Sequence, residues 1–367
     1  METYNTYLPG TPKEELDTPA LLIDLDVMER NIETASRFFQ DVAADLRPHT
    51  KTHKTPILAH RQMAAGAIGI CCAKVGEAEA MVAGGVPDIL IANQVVGPAK
   101  IARLMSLAKR AKMKVAVDDP QNVRDLAEAA QAFGAELGVL VEVNVGMDRC
   151  GVEPGEPAVE LAQVVARHKG LRFMGLMGYE GHMVNVTPYE KRVEGTRKAM
   201  DLLLMTKETV EKAGLTVEVV SAAGTGTYNI TGAIPGITEI EAGSYIFMDA
   251  SYRKVFTDFD CAHTVLTTVI SRPTPDRAVV DIGRKSMSND MGMPVVFDLE
   301  GATLVSLSEE HGKLEVEGEA RKLKIGDKLE ILPSHGDTTI NLHSHYFALR
   351  KGCLEAVWEI AGRGRFR

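Results

Sequence analysis

Aromatic residues make up only 5% of this 367-residue chain, with a single tryptophan. No apolar run approaches the ~20 residues that a membrane span requires. A cationic surplus is also missing: 41 Lys+Arg stand against 50 Asp+Glu, a formal charge of −9. A surface built for nucleic acid or anionic lipid carries the opposite balance, so neither a nucleic acid nor a membrane is an expected partner. Five cysteines, an odd number that includes the adjacent Cys71 and Cys72, do not make a disulfide framework, and a reducing cytoplasm is the expected compartment. The opening stretch METYNTYLPGTPKEELDTPA lacks the basic start and apolar centre of a secretory leader. There is no internal repeat, low-complexity tract or disordered linker. No G-x-G-x-x-G follows the first strand, which counts against a dinucleotide-binding, doubly wound sheet.

What is present is an ordinary globular composition, 45% apolar and 25% charged, with room for one large domain and a smaller one. After ALLIDLDVMERNIETASRFF, read as a strand running into a helix, apolar runs recur at 46–51, 68–74, 88–93, 114–119, 137–146, 171–179, 216–224 and 237–247. Stretches of helical composition such as PAKIARLMSLAKRAK separate them. Eight strands alternating with helices predict an α/β fold of the (β/α)8, TIM-like barrel kind over residues 21–252. Past about residue 255 the helices stop. HTVLTTVISRP, RAVVDIG, ATLVSLSEEHGKLEVEG and DKLEILPS read as strands joined by turns, so a mainly β domain is expected over 255–367, joined by N-terminal residues 1–25.

In such a barrel the carboxyl ends of the strands face the active site. Those ends supply Lys51, Lys74, Asn93, Asp118, Arg149, Tyr179, the turn at 222–227 and Gly243–Ser244. Lys51 lies in LRPHTKTHKTP, where His49, His53 and Lys54 crowd it. Like charges there favour a neutral, reactive amine; a solvated basic turn accounts for the eleven residues equally well. AAGTGTYN, at another strand end, can offer N–H groups and hydroxyls to a phosphate, although Gly-Thr turns are common. An aldehyde-capturing lysine and a phosphate nest in one mouth suggest pyridoxal 5′-phosphate.

RPHTKTHK, VEVNVGMDRCGV, GYEGH, SAAGTGT, TEIEAGSY and a late SHGD occur in this order. Together they resemble the D-threonine aldolase and D-serine dehydratase-like enzymes, which share the alanine racemase-like barrel and use pyridoxal phosphate. The resemblance runs from about residue 18 to the C-terminus. It implies that Lys51, not Lys54, holds the cofactor aldehyde, and that Arg149 sits near the cofactor's 3′ oxygen. Tyr179, Thr225, Gly226 and Thr227, with Gly243, Ser244 and Tyr245, are implied around its ring and phosphate. Glu241 matches the position that faces the pyridine nitrogen, where a carboxylate favours the protonated ring; a rim glutamate without that role is the other reading.

LPSHGDTTINLHSHYF is the second dense site. In an extended segment His335 and Asp337, two apart, point to one face and can meet a divalent ion; His343 and His345 repeat the spacing. Hydrogen-bonded loop histidines explain either pair without a metal. The resemblance implies a two-residue metal site here, His-x-Cys in the dehydratases and His-x-Asp in the D-threonine aldolases. This chain has His-x-Asp, which suits Mn²⁺ above all, then Mg²⁺ or Ca²⁺. His182, three residues after Tyr179, is a candidate general base or a structural histidine. Cys71 and Cys72 read as core, and DIGRKSMSNDMG is assigned no chemistry.

The expected activity is a metal-assisted, pyridoxal-phosphate aldolase that cleaves small D-β-hydroxy-α-amino acids to glycine and an aldehyde. A dehydratase giving a keto acid and ammonia is the alternative. A non-catalytic cofactor carrier and a metal-only hydrolase are more distant ones. A homodimer is left open.

Overall fold

The computed structural model describes residues 7–297 and 299–367; the first six residues of the segment assigned to the β domain, and Asp298, lie outside the described residues. The chain divides into two compact units. One holds Ala35–Gly243 with Gly364–Arg367, and the other holds the described residues up to Thr34 with Ser244–Arg363. Strand β1 (Ala20–Asp24) and helix α1 (Leu25–Gln40) come first.

In the larger unit, strands β2 (Asp45–Leu46), β3 (Ile70–Cys72), β4 (Asp88–Ile91), β5 (Lys112–Val117) and β6 (Leu137–Glu142) are followed by β7 (Leu171–Gly178), β8 (Val219–Ala222) and β9 (Glu239–Ile240). Between and after them lie helices α2 (Pro56–Ala64), α3 (Val75–Ala83), α4 (Pro98–Ala108), α5 (Pro120–Phe133), α6 (Glu156–Arg167), α7 (Tyr189–Lys212) and α8 (Tyr228–Thr231). Every strand pair is parallel, in the order β2-β9-β8-β7-β6-β5-β4-β3, a curled sheet of eight. The run expected at 46–51 is laddered only over Asp45–Leu46. Beyond it the chain still tracks β3: Cys71 N–H donates to Pro48 O (2.9 Å) and Thr50 N–H to Cys71 O (2.8 Å), with a parallel bridge between His49 and Cys71. These bonds draw the first and last strands of the order together.

Local chemistry explains the alternation. The short strands are buried nearly end to end, as parallel strands covered on both faces must be. Proline stands in the first turn of α2, α4, α5 and α6, where its missing N–H costs nothing. Asp119 caps α5 by accepting from Asn122 N–H (2.8 Å), and Gly134 ends it at φ 58°. One buried cluster takes Cys71, Leu90, Ala116, Leu140 and Met177, one residue from each of β3 to β7. Truncating Leu90 to alanine there costs about 2–5 kcal/mol. All five cysteines are free, and burial pushes the thiols of Cys71 and Cys72 well up.

The second unit is mainly β: β10 (His263–Thr274), β11 (Arg277–Val280), β12 (Val295–Phe297), β13 (Ala302–Leu307), β14 (Gly312–Val316), β15 (Lys328–Leu332), β16 (His345–Arg350) and β17 (Cys353–Glu359), with the first part of α1 and a short helix, α9 (Gly336–Ile340). The path runs β13-β14-β11-β10-β1-β16-β17, and β15 pairs β10 and β12. Alternation decides the buried face: Ala20 and Leu22 of β1 meet Leu266, Phe347, Leu349 and Leu354. Among the described residues, no helix is long and apolar enough to cross a membrane.

Candidate active site

The barrel unit resolves the nitrogen-rich stretch into separate tasks. Arg47 is buried and ion-paired, its Nε donating to Glu239 (2.9 Å) and its Nη1 to Asp88 (2.6 Å), so it belongs to no basic surface. His53 is fully buried. Its Nδ1 accepts from Thr55 N–H (3.1 Å) and its Nε2 meets Gln62 Oε1 (3.1 Å), and burial drives its pKa down to about 4. His49, also buried, is pushed well below the usual imidazole range by desolvation first, then by Lys51 and Lys54. Both imidazoles are therefore neutral, and the expected crowd of like charge is corrected to the two lysines. The Lys54 ammonium in turn lies 4.0 Å from Glu77.

Lys51 stands in the turn after β2, half-buried, its backbone N–H held by His49 Nδ1 (3.2 Å). Its Nζ lies 5.9 Å from the centre of the Tyr179 ring, and the Arg149 guanidinium carbon lies 5.4 Å from the same ring. Three residues named from separate motifs thus meet at one aromatic ring. Arg149 also lies 4.0 Å from the buried Glu142 carboxylate, which accepts from Gln94. Glu241, just past β9, accepts from Ser221 Oγ (2.7 Å) while its N–H donates to Ala222 O (3.0 Å). Burial raises its carboxyl to about 7, against the lowering effects of the Ser221 bond and Lys51, so it shares a proton near neutrality.

The turn after β8 is buried: Ala223, Thr225 and Thr227 are each at most 1% exposed. Its glycines answer to close packing first. A Cβ on Gly226 would lie 1.9 Å from Val184 O, and one on Gly224 would lie 3.1 Å from Tyr179 Oη. Gly243 is as constrained, its Cβ position falling 2.4 Å from His49 O. Beneath the turn sits Glu180, a fully buried carboxylate that accepts from Thr227 Oγ1 (2.7 Å), Thr231 Oγ1 (2.6 Å) and Ala223 N–H (3.1 Å). Sequence reasoning passed over it, although a glutamate between Tyr179 and His182 was its signal. His182 is exposed and packs beside Gly146, where a Cβ would come within 3.4–3.5 Å of its ring. An amine, an aromatic face between two cations, a carboxyl that keeps a proton near neutrality and a hydroxyl-rich turn suit an aldehyde-bearing pyridine phosphate.

The other predicted residues lie in the β unit. Ser244 and Tyr245 form the start of a short 3-10 turn, Ser244–Ile246. Tyr245 is 2% exposed, with its ring 5.5 Å from Phe259. His335 and Asp337 are not in an extended segment as expected. His335 is the extended residue before α9, and Asp337 lies in the helix's first turn. Gly336 between them is tightly seated, since a Cβ would lie 3.1 Å from His263 Nε2, and its N–H donates to Asp249 Oδ2 (3.0 Å). His263 is buried with that Nε2 unpartnered, and burial lowers its pKa to about 4. His335 Nδ1 meets Asp290 Oδ2 at 2.8 Å. The competing His343 has its Nε2 on Ser286 O (2.7 Å). No group of three metal-ligating side chains occurs among the described residues. His335 and Asp337, the pair put forward from the sequence, stand on either side of Gly336 at the start of α9. DIGRKSMSNDMG, assigned no chemistry from the sequence, supplies Asp290.

A family profile described as alanine racemase, N-terminal domain, matches residues 23–251, and one described as putative serine dehydratase domain matches 262–349. A D-threonine aldolase of an Arthrobacter species is 40% identical over 97% of this chain and 95% of that protein. A 3-hydroxy-D-aspartate aldolase of Paracoccus denitrificans (strain Pd 1222) is 38% identical over 98% and 95%. The crystal structure of D-threonine aldolase from Filomicrobium marinum superposes with a TM-score of 0.95 at 43% identity, covering 98% of this chain and 99% of that one.

Proposed function

This chain belongs to the alanine racemase-like family, among the D-threonine and 3-hydroxy-D-aspartate aldolases, and on that premise we propose that it is a metal-assisted, pyridoxal-phosphate-dependent lyase that cleaves D-β-hydroxy-α-amino acids to glycine and an aldehyde. The observation that carries this reading is the meeting of Lys51 and Arg149 on the Tyr179 ring, with the Glu241 carboxyl within electrostatic reach of Lys51. In this reading residues 21–252 hold the cofactor, and 255–367 with the N-terminal residues to 25 hold the metal.

Lys51 would hold the cofactor by its aldehyde, and the Tyr179 ring and the Arg149 guanidinium would orient it. Thr225, Gly226 and Thr227 receive the phosphate, with Gly243, Ser244 and Tyr245 assigned to the same cofactor. Glu241, kept protonated to near pH 7 by burial, would be the residue that holds a proton toward the pyridine nitrogen. Pyridoxal 5′-phosphate supplies an electron sink for the pair left at Cα when Cα–Cβ breaks. A divalent ion, Mn²⁺ before Mg²⁺ or Ca²⁺, supplies Lewis acidity toward the β-hydroxyl; His335 and Asp337 hold it. His182 takes the hydroxyl proton as the aldehyde forms, and Cα takes up a proton to become glycine. The protein acts on a small molecule in the cytoplasm, and a homodimer is compatible with this role.

The profile match to a putative serine dehydratase domain favours a second reading, loss of water to give a keto acid and ammonia. The products decide between the two. With metal present, D-threonine is expected to yield glycine and acetaldehyde, and L-threonine little or nothing. Formation of 2-oxobutanoate and ammonia overturns the aldolase in favour of the dehydratase.

A further inference from the structure

Asp290 belongs to the loop after β11, and three side chains converge on its carboxylate. Ser288 Oγ (2.8 Å) and Thr338 Oγ1 (3.1 Å) both donate to Oδ1, which leaves Oδ2 to face His335 Nδ1 at 2.8 Å. The two hydroxyls come from different places, one from the loop itself and one from α9, so the carboxylate is braced from both sides. An ionised carboxylate only accepts hydrogen bonds, so the 2.8 Å contact requires the proton on Nδ1. The lone pair of the neutral ring then lies on Nε2. This is the arrangement in which metal-binding imidazoles are commonly held: one nitrogen donates to a carboxylate while the other faces the ion. The pair is open to solvent, with side-chain exposures of 27% for His335 and 44% for Asp290, as a site that exchanges its ion needs.

We propose that Asp290 is a positioning residue for the divalent ion, fixing His335 in the Nδ1–H tautomer and presenting Nε2 as the ligand. The inference rests on the reading that His335 and Asp337 hold that ion. Asp290 thereby gives a two-residue site the rigidity that a third protein ligand supplies elsewhere. It also makes metal affinity depend on a loop that carries no ligand of its own.

The test is Mn²⁺ binding to the cofactor-loaded protein, read from the electron-spin resonance of the free ion, for the wild type and for Asp290→Ala, Asp290→Asn and His335→Ala. Asp290→Ala is expected to raise the Kd about 10- to 100-fold, with Asp290→Asn in between because it keeps an acceptor. Cofactor absorbance and melting temperature should not move. In the chelated protein, ¹⁵N resonances of His335 should report the Nδ1–H tautomer, and Asp290→Ala should lose it. If His335→Ala abolishes binding while Asp290→Ala binds as the wild type does, the inference alone fails. If His335→Ala also binds normally, the metal reading fails and takes the inference with it. Loss of affinity accompanied by a lower melting temperature or a faded cofactor band makes Asp290 a structural residue and overturns the proposal. Should Asp290→Ala not fold, Asp290→Asn decides alone: wild-type affinity refutes, and a weakened but stable protein supports.

Discussion

The barrel mouth and the His335 loop are built on opposite principles. In the mouth Lys51 is half-buried and Arg149 is 49% exposed, but the groups beneath them are enclosed and answered: Glu180 takes two threonine hydroxyls and a backbone N–H, Glu241 takes Ser221, and His53 uses both ring nitrogens. At the loop, the two residues proposed as ligands stand on either side of one glycine. Asp290, the carboxylate that meets His335, is 44% exposed on its side chain. A cofactor held by a covalent bond can be received by a rigid, pre-formed site, because little has to move. An exchangeable hard ion keeps several waters, so two protein ligands and an open approach suffice.

The largest effect that would break this contrast concerns Lys51. Borohydride reduction of the loaded protein should fix the cofactor on the peptide carrying Lys51, and Lys51→Ala should be colourless with turnover at background. A tag on Lys54 or Lys74 would remove the barrel mouth from the chemistry.

Next in size is the metal. Chelation should abolish activity and leave the yellow colour, with activity restored by Mn²⁺; His335→Ala and Asp337→Ala should behave as the chelated protein does. If colour leaves with the ion, the two sites are one and the contrast fails. Full activity after chelation would make the His-x-Asp pair structural.

The smallest expected effect is at Glu241, and it sharpens the comparison. Glu241→Gln should retain the cofactor while turnover falls, on the order of 10²-fold. In the cofactor-free protein the sign of the pH dependence follows from its raised pKa. Between about 4.5 and about 7 the folded protein keeps a proton that the unfolded chain has released, so Glu241's contribution to stability falls across that window. It is flat below and above. Melting temperatures at pH 5 and pH 8 should therefore show Glu241→Gln gaining on the wild type as pH rises. Equal slopes for the two proteins would mean that Glu241 is not the buried acid its surroundings describe.

Much of the fold was legible because it rests on patterns repeated along the chain. Eight apolar runs at barrel spacing returned as eight parallel strands, and the later runs, read as strands joined by turns, returned mostly as antiparallel ladders. Lys51, Arg149 and Tyr179 could be named because strand ends in such a barrel share one face. Other residues could not be sorted this way. Arg47 and His53 look alike in LRPHTKTHKTP as basic residues within four positions of Lys51. Yet one is locked to Glu239 and Asp88, and the other is sealed against Gln62. His335-Gly336-Asp337, read as an extended or turn segment, is extended only at His335, because a short helix starts at Gly336, tied by its N–H to Asp249, 87 residues earlier.

The sequence by itself determined the sheet and the family and put Lys51 forward as the candidate lysine, since periodicity, strand ends and ordered motifs are local properties that survive without a partner. Only the tertiary structure decided which charges are real and which side chains are aimed. Desolvation neutralises His49 and His53, and burial lifts Glu241 to about 7. Glu180 meets residues 43 to 51 positions away, and Asp290 meets His335 across 45. Burial and long-range hydrogen bonds set both protonation and direction, and neither quantity is a property of a residue's neighbours in the chain.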